Sequence, residues 1–204
     1  RYRADRMFRR KTLNGKWSTD TLDGYCVSLD GNKYAQVFAN EGYFSKIYPM
    51  DSKSKAGDAL KVFCREFGVP YDLTFDGSKE QCGPGTIFQD TAIKNRIRTH
   101  RTEPETPNQN RAEDAIRECK RRWKQRMIKR RVPKKVWDFG IVWESEILSR
   151  MCRHNNDYTG LERITGDTQD ISEWLDFEFY DLCWYWDVPA DWDNPKIGRW
   201  LGVS

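Results

Sequence analysis

A change of hydrophobic period limits the fold of this chain more than any other feature. Lys33-Tyr-Ala-Gln-Val-Phe-Ala39 and Tyr43-Phe-Ser-Lys-Ile-Tyr48 read as strands joined by the turn-prone Asn40-Glu-Gly42. Ala56, Leu60, Phe63, Cys64 and Phe67 then recur at three- and four-residue steps until Gly68, the spacing of an amphipathic helix and its stop. Tyr71 to Phe75 returns to strand. A strand reached through a helical crossover joins its sheet in parallel, so the earlier antiparallel strands and this one predict a mixed sheet.

The flanking segments extend that pattern. Lys16 to Thr21 reads as a first strand, and a short helix around Phe88 to Ile97 precedes a fifth strand over Arg98 to Thr102. Cys82-Gly-Pro-Gly85 marks a loop. Pro104 and Pro107 precede a long helix from Asn108 to Arg131, and Pro133 separates it from another over Lys134 to about Met151, which carries Val136, Trp143, Ile147 and Met151 on one face. The order β-β-β-α-β-α-β-α gives an α/β domain with a mixed five-stranded sheet flanked by helices. Its expected bounds are 16–152, with a basic arm over 1–15 and a post-core segment over 153–204.

Charge is distributed unevenly along the chain. Eleven Lys or Arg residues lie between Arg117 and Lys135, whereas Ile164 to Pro195 has nine acidic residues and no Lys or Arg. A basic face for a polyanion and a short acidic, aromatic appendage follow from that asymmetry. The appendage is also a candidate to cover the basic face in cis. The six cysteines are widely scattered, which argues against a disulfide framework, and with two histidines no His/Cys zinc knuckle assembles. No apolar run reaches the roughly 20 residues of a membrane span. The opening Arg1 and the ending at Trp200-Leu-Gly-Val-Ser204 read as the edges of a fragment.

Three carboxylates carry the chemistry. Asp20 closes Lys16-Trp17-Ser18-Thr19, Asp76 closes Tyr71-Asp72-Leu73-Thr74-Phe75, and Glu113 lies in the first turn of the long helix, 37 positions after Asp76. Oxygen ligands of this type suit hard divalent cations such as Mg²⁺. Asp23, Asp30 and Asp72 compete for the same roles. On the long helix, Ala112, Ile116, Cys119, Trp123 and Met127 form an apolar stripe. Glu113, Arg117, Lys120 and Lys124 form a row on the opposite face, which places cations for phosphates beside a metal ligand. Glu113–Arg117 also reads as an ordinary i,i+4 ion pair. His100 reads as a packing or surface residue.

Thr19-Asp20-Thr21, Phe75-Asp76-Gly77-Ser-Lys-Glu80 and Pro107-Asn-Gln-Asn-Arg-Ala-Glu113 together resemble the D,D-35-E signature of retroelement integrases, with Gln109 four residues before the glutamate. Thr159-Gly-Leu-Glu-Arg-Ile-Thr-Gly166 through Asp170-Ile-Ser-Glu-Trp174 is similar to the region after the catalytic core in copia-like retrotransposon polyproteins. The resemblance implies an RNase H-like fold, with both aspartates on adjacent central strands. It implies a nicking of DNA near each 3′ end, followed by strand transfer into target DNA. Two Mg²⁺ or Mn²⁺ ions about 3.5–4 Å apart would serve the reaction. Asp20 would bridge them, with Asp76 on one ion and Glu113 on the other. Gln109, Arg117, Lys120, Arg121 and Lys124 are then the expected DNA contacts. Joining two DNA ends implies a homo-oligomer, acting in the nucleus after a cytoplasmic particle stage. The zinc domain that precedes the core in this family is absent from the sequence, and the following β-barrel is at most begun near Trp200. A decayed or domesticated core that binds nucleic acid without catalysis is the alternative. A ribonuclease H would need a fourth acidic ligand, and none stands out.

Overall fold

A computed structural model describes residues 15–102, 110–152, 158–186 and 195–203. Three antiparallel strands open the fold: β1 (Lys16–Asp23), β2 (Tyr34–Asn40) and β3 (Ser45–Met50). Helix α1 (Ala56–Phe67) crosses over to β4 (Asp72–Phe75). Helices α2 (Lys79–Cys82) and α3 (Ile87–Lys94) lead to β5 (Arg98–Arg101). The sheet order is β3-β2-β1-β4-β5, antiparallel across β1–β2–β3 and parallel across β1–β4–β5. This is the mixed sheet of an RNase H-like α/β fold, with the crossover strand parallel as the change of period requires.

Helices cover both faces. Trp17 and Phe38 turn to one side and pack with Leu60 and Phe63 of α1 and Phe88 of α3. Trp17 meets Phe63 edge-on with centroids 4.8 Å apart, and Phe38 stacks on the same ring at 4.4 Å. Leu22, Val37 and Ile47 turn to the other side, against α4 (Arg111–Arg130) and α5 (Trp137–Arg150). Ala112, Cys119 and Trp123 of the α4 stripe are buried, with Ile116 and Met127 partly so. Trp123 lies against Gly140 of α5 so closely that a Cβ there would enter the indole ring. The crossing of the two helices therefore depends on a glycine.

Helix α5 departs from the expected single apolar face. A 3₁₀ turn over Lys134–Val136 leads into it, and the helix is enclosed on most sides, with Asp138, Glu144, Ser145, Glu146 and Ser149 all buried. Met151, expected on its apolar face, is exposed. Polar groups tie α5 to β3. The Ser145 and Ser149 hydroxyls both donate to the Ser45 carbonyl (2.9 and 3.0 Å), and the Ser45 amide donates to Ser149 Oγ at 3.0 Å.

The segment after α5 joins this frame rather than trailing from it. Leu161 and Ile164 of α6 (Gly160–Thr165) enter the α1-side core, and Phe179 enters the other. Helix α7 (Ser172–Leu175) follows α6, and β6 (Leu182–Tyr185) and β7 (Lys196–Arg199) form a separate two-stranded ribbon. All six cysteines are free. Among the described residues no helix is long and apolar enough to cross a membrane.

Candidate functional site

The parallel register of β1 and β4 pairs Thr19 with Phe75, so the next residue on each strand is an aspartate: Asp20 and Asp76. On β1, Asp20 shares its face with Leu22, which packs on the α4 side. Glu113 reaches that face because of how α4 begins. Asn110 is buried and caps the helix, its Oδ1 accepting from the Ala112 amide at 3.0 Å. Its Nδ2 donates to the Thr19 carbonyl at 3.4 Å, one residue before Asp20. One asparagine thus holds the first turn of α4 against the strand that carries the first aspartate.

The electrostatics agree with this geometry. Burial pushes the Asp20 carboxyl up to about 6, opposed by the Thr21 amide that donates to it at 2.7 Å. The neighbouring charges of Asp76, Glu113 and Asp23 raise it further. Asp20 is half-buried, while Asp76 and Glu113 are exposed. Among the described residues, no three His, Cys, Asp or Glu side chains form a group ready to hold a metal ion. The three carboxylates therefore meet at electrostatic range. The donor set still fits a hard divalent cation, since it consists of three carboxylates and so is all oxygen.

Backbone contacts shape the Asp76 side. Arg101 of β5 donates from Nη2 to the Gly77 carbonyl at 3.1 Å, and its guanidinium fills the space that a Cβ at position 77 would need. Cys82 Sγ lies 3.7 Å from the Asp76 carbonyl. Under Asp20, the buried Gln36 donates to Thr19 Oγ1 at 2.6 Å and accepts from Thr21 Oγ1 at 3.0 Å. These partners were not singled out in the sequence. Asn110 alone had a readable signal, an asparagine immediately before a periodic helix.

The competing aspartates are accounted for. Asp72 lies at the opposite end of β4 and contacts His100 Nε2 at 3.3 Å, and His100 is exposed as expected. Asp30 lines a cavity beside α5. Asp23 pairs with Lys53 at 3.2 Å and reaches Asp20 only as a neighbouring charge.

The basic run of α4 divides into paired and unpaired cations. Arg117 pairs with Asp114 rather than Glu113, and Arg121 grips both oxygens of Glu118 at 2.7 and 2.8 Å. Arg126 pairs with the buried Glu144 at 2.6 Å, and Arg130 with Glu178 and Asp181 of the acidic segment. Lys120 and Lys124 have no ion pair among the described residues. Gln109 lies outside the described residues.

No family model and no curated protein matches the sequence. Solved structures do match in fold. A chain of the simian T-cell lymphotropic virus intasome, in complex with the PP2A regulatory subunit B56 gamma, superposes with a TM-score of 0.62 at 15% identity, covering 92% of this chain and 70% of that one. The catalytic core domain of BIV integrase gives 0.58 at 9% identity, covering 75% and 95%. The HTLV-2 integrase catalytic core domain in complex with magnesium gives 0.57 at 14% identity, covering 76% and 99%. The chain has the fold of retroviral integrase catalytic cores.

Proposed function

We propose that this chain is the catalytic core of a retrotransposon integrase, a metal-dependent polynucleotidyl transferase that nicks DNA near its 3′ ends and transfers the strands to target DNA. One observation carries the reading: burial, with the charges of Asp76, Glu113 and Asp23 added to it, holds the Asp20 carboxyl up at about 6, which places the three carboxylates in one patch. Repulsion of this kind is costly in the apo protein and is relieved by a divalent cation. The fold, common to an integrase core described with magnesium, supports the same chemistry.

Asp20, Asp76 and Glu113 are the residues that would hold two Mg²⁺ or Mn²⁺ ions, with Asp20 between the other two. Bound there, the ions would polarise the phosphate and activate the attacking oxygen. The chain's own groups position the substrate. Lys120 and Lys124, free of internal partners among the described residues, lie about two and three turns past Glu113 and attract the phosphates flanking the scissile bond. Arg117, Arg121 and Gln109 complete the proposed contact surface. Asn110 keeps Glu113 registered against β1. The working form is a homo-oligomer acting on two DNA ends in the nucleus, after a cytoplasmic particle stage.

The test is an oligonucleotide nicking and strand-transfer assay with Mg²⁺ or Mn²⁺, comparing the wild type with Glu113→Gln. The variant is expected to lose more than the ~10–100-fold that a change beyond the metal's direct ligands costs. Equal activity in the two proteins refutes the site. A second reading, a core that binds nucleic acid without chemistry, is favoured by the lack of a ready-formed metal group among the described residues. It predicts salt-sensitive DNA binding with no nicking by either protein.

A further inference from the structure

The sheet ends at β5, which has no further strand beyond it among the described residues and whose residues Arg98–Arg101 are all exposed. Charge is a usual guard on a free strand edge. Here the charge has one sign. Lys94 at the end of α3, Arg96 in the turn that follows, and Arg98 and Arg101 of β5 are exposed and have no ion pair among the described residues. His100, the remaining basic group, is engaged with Asp72.

The register relates this edge to the carboxylates. Leu73 and Phe75 of β4 enter the α1-side core, so Asp72 and Thr74 lie on the opposite face, and their partners Arg98 and His100 lie there with them. That is the sheet face of Asp20 and Leu22. Helix α4 covers it over β1 and β2, whereas β5 lies beyond β4. Two strand spacings of about 4.8 Å and four residues of about 3.3 Å put the Arg98 backbone on the order of 16 Å from that of Asp20. A duplex carries one charge per about 1.7 Å of its length, so DNA lying over Asp20 has several phosphates within that span.

Three local features suit a phosphate. The Arg98 guanidinium carbon lies 4.6 Å from the centre of the Tyr71 ring. Stacking of this kind engages the flat face of the guanidinium and leaves its in-plane N–H groups for an anion. The Arg98 and Thr102 amides donate to the Tyr71 and Phe75 carbonyls, both at 3.0 Å, so strand alternation turns the Thr99 and Arg101 amides to the free edge. Arg96 has a φ of +56°, in the left-handed region that favours glycine. A long cation thus stands where the backbone alone favours no side chain.

We propose that the β5 edge, through Arg96, Arg98 and the outward amides, binds the phosphate backbone of DNA as a second track beside the α4 cations. It rests on the function proposed above only for the identity of the polyanion. The test is fluorescence anisotropy of a labelled DNA duplex with the full chain, from about 50 to 200 mM salt and without divalent metal, so that binding is read apart from chemistry. Arg96→Gly/Arg98→Gln is expected to bind at least about tenfold more weakly at low salt. Its slope of log K against log salt should be shallower by about 2, or roughly 0.9 for each lost phosphate contact. Arg96→Gly alone should be shallower by about 1, with a Tm at or above that of the wild type, because glycine relieves the left-handed backbone. Lys120→Gln/Lys124→Gln, measured in parallel, reports on α4 separately. Wild-type affinity and slope in the β5 variants, with a loss in the α4 variant, overturn this proposal and leave the α4 reading standing. Self-association of the β5 variants with unchanged DNA binding also overturns it, since the cations then only guard a strand edge. So does displacement of the DNA by polyglutamate at equal charge, which assigns the edge to an acidic protein segment. A wild type that binds no DNA overturns both readings.

Discussion

Asp20→Asn should stabilise the metal-free protein, although it removes a residue proposed to be essential. The Asp20 carboxyl rises from an ordinary 3.8 to about 6 in the fold, through burial and then the charges of Asp76, Glu113 and Asp23. A raised carboxyl means that the native state holds its proton where the unfolded chain has released it. Stability therefore falls as pH rises through about 4 to 6 and stays low above that window. Two units at about 1.4 kcal/mol each set an upper bound near 3 kcal/mol. Partial solvent access reduces this to about 2 kcal/mol. Asparagine keeps an oxygen for the Thr21 amide, so the hydrogen bond at 2.7 Å survives the change. For a chain of this size the variant's Tm should exceed the wild type's by about 4–8 °C at pH 8. The two should converge near pH 4. Adding Mg²⁺ should raise the wild-type Tm and leave the variant's nearly unchanged. Differential scanning fluorimetry across pH, with and without Mg²⁺, measures all three. A variant less stable than wild type at pH 8, or an advantage that persists unchanged at pH 4, would refute the claim that crowded, buried negative charge destabilises this site.

Other expectations follow from single contacts. Asn110→Ala removes both the α4 cap and the bond to the Thr19 carbonyl. It should cost about 1–2 kcal/mol in urea unfolding, and by loosening Glu113 it should move the Asp20 titration, followed by carboxyl NMR, toward lower pH. Ser149→Ala leaves the Ser45 amide without its partner inside the β3–α5 contact, so chemical denaturation should register a loss of about 1–3 kcal/mol. Arg126→Ala strands the Glu144 carboxylate, 1% exposed, without its guanidinium. A loss of about 3–5 kcal/mol is expected at neutral pH, and a much smaller one for Arg126→Ala combined with Glu144→Gln.

Much of the architecture was legible because long-period signals dominate it. The switch from strand to helix and back between Tyr43 and Phe75 dictated the crossover, and with it the parallel pairing that brings Asp20 beside Asp76. The α4 stripe was readable for the same reason: 20 helical residues average out local noise. Element edges moved by a few residues, as at β1, which runs on to Asp23 because β2 continues to pair with it. Helix α5 was misjudged in character because enclosure by three neighbours erases the polar face that periodicity relies on. The ribbon of β6 and β7 was not anticipated, since four-residue strands leave too little alternation to read. Gln36 and Arg101 act through partners far away in sequence, which no local pattern encodes.

The charge on α4 makes sense only once the whole chain is folded. Read as a string, the run from Arg117 to Lys135 is one basic block and the region after Ile164 one acidic block. In the fold they interlock: Glu178 and Asp181 hold Arg130, and Glu178 also lies 3.7 Å from Arg126, while the adjoining Phe179 meets Trp123 edge-on at 5.4 Å. The anchor is apolar, because Phe179 is fully buried, and the ion pairs follow from where it docks. The acidic segment thus engages Arg126 and Arg130 of the basic face in cis and leaves Lys120 and Lys124 without an ion pair among the described residues. A helix with every cation exposed would attract a polyanion anywhere along its 20 residues. Neutralising Arg126 and Arg130 lowers the positive potential on that part of the helix, so the proposed polyanion contact falls more on Lys120 and Lys124, in the row that begins with Glu113.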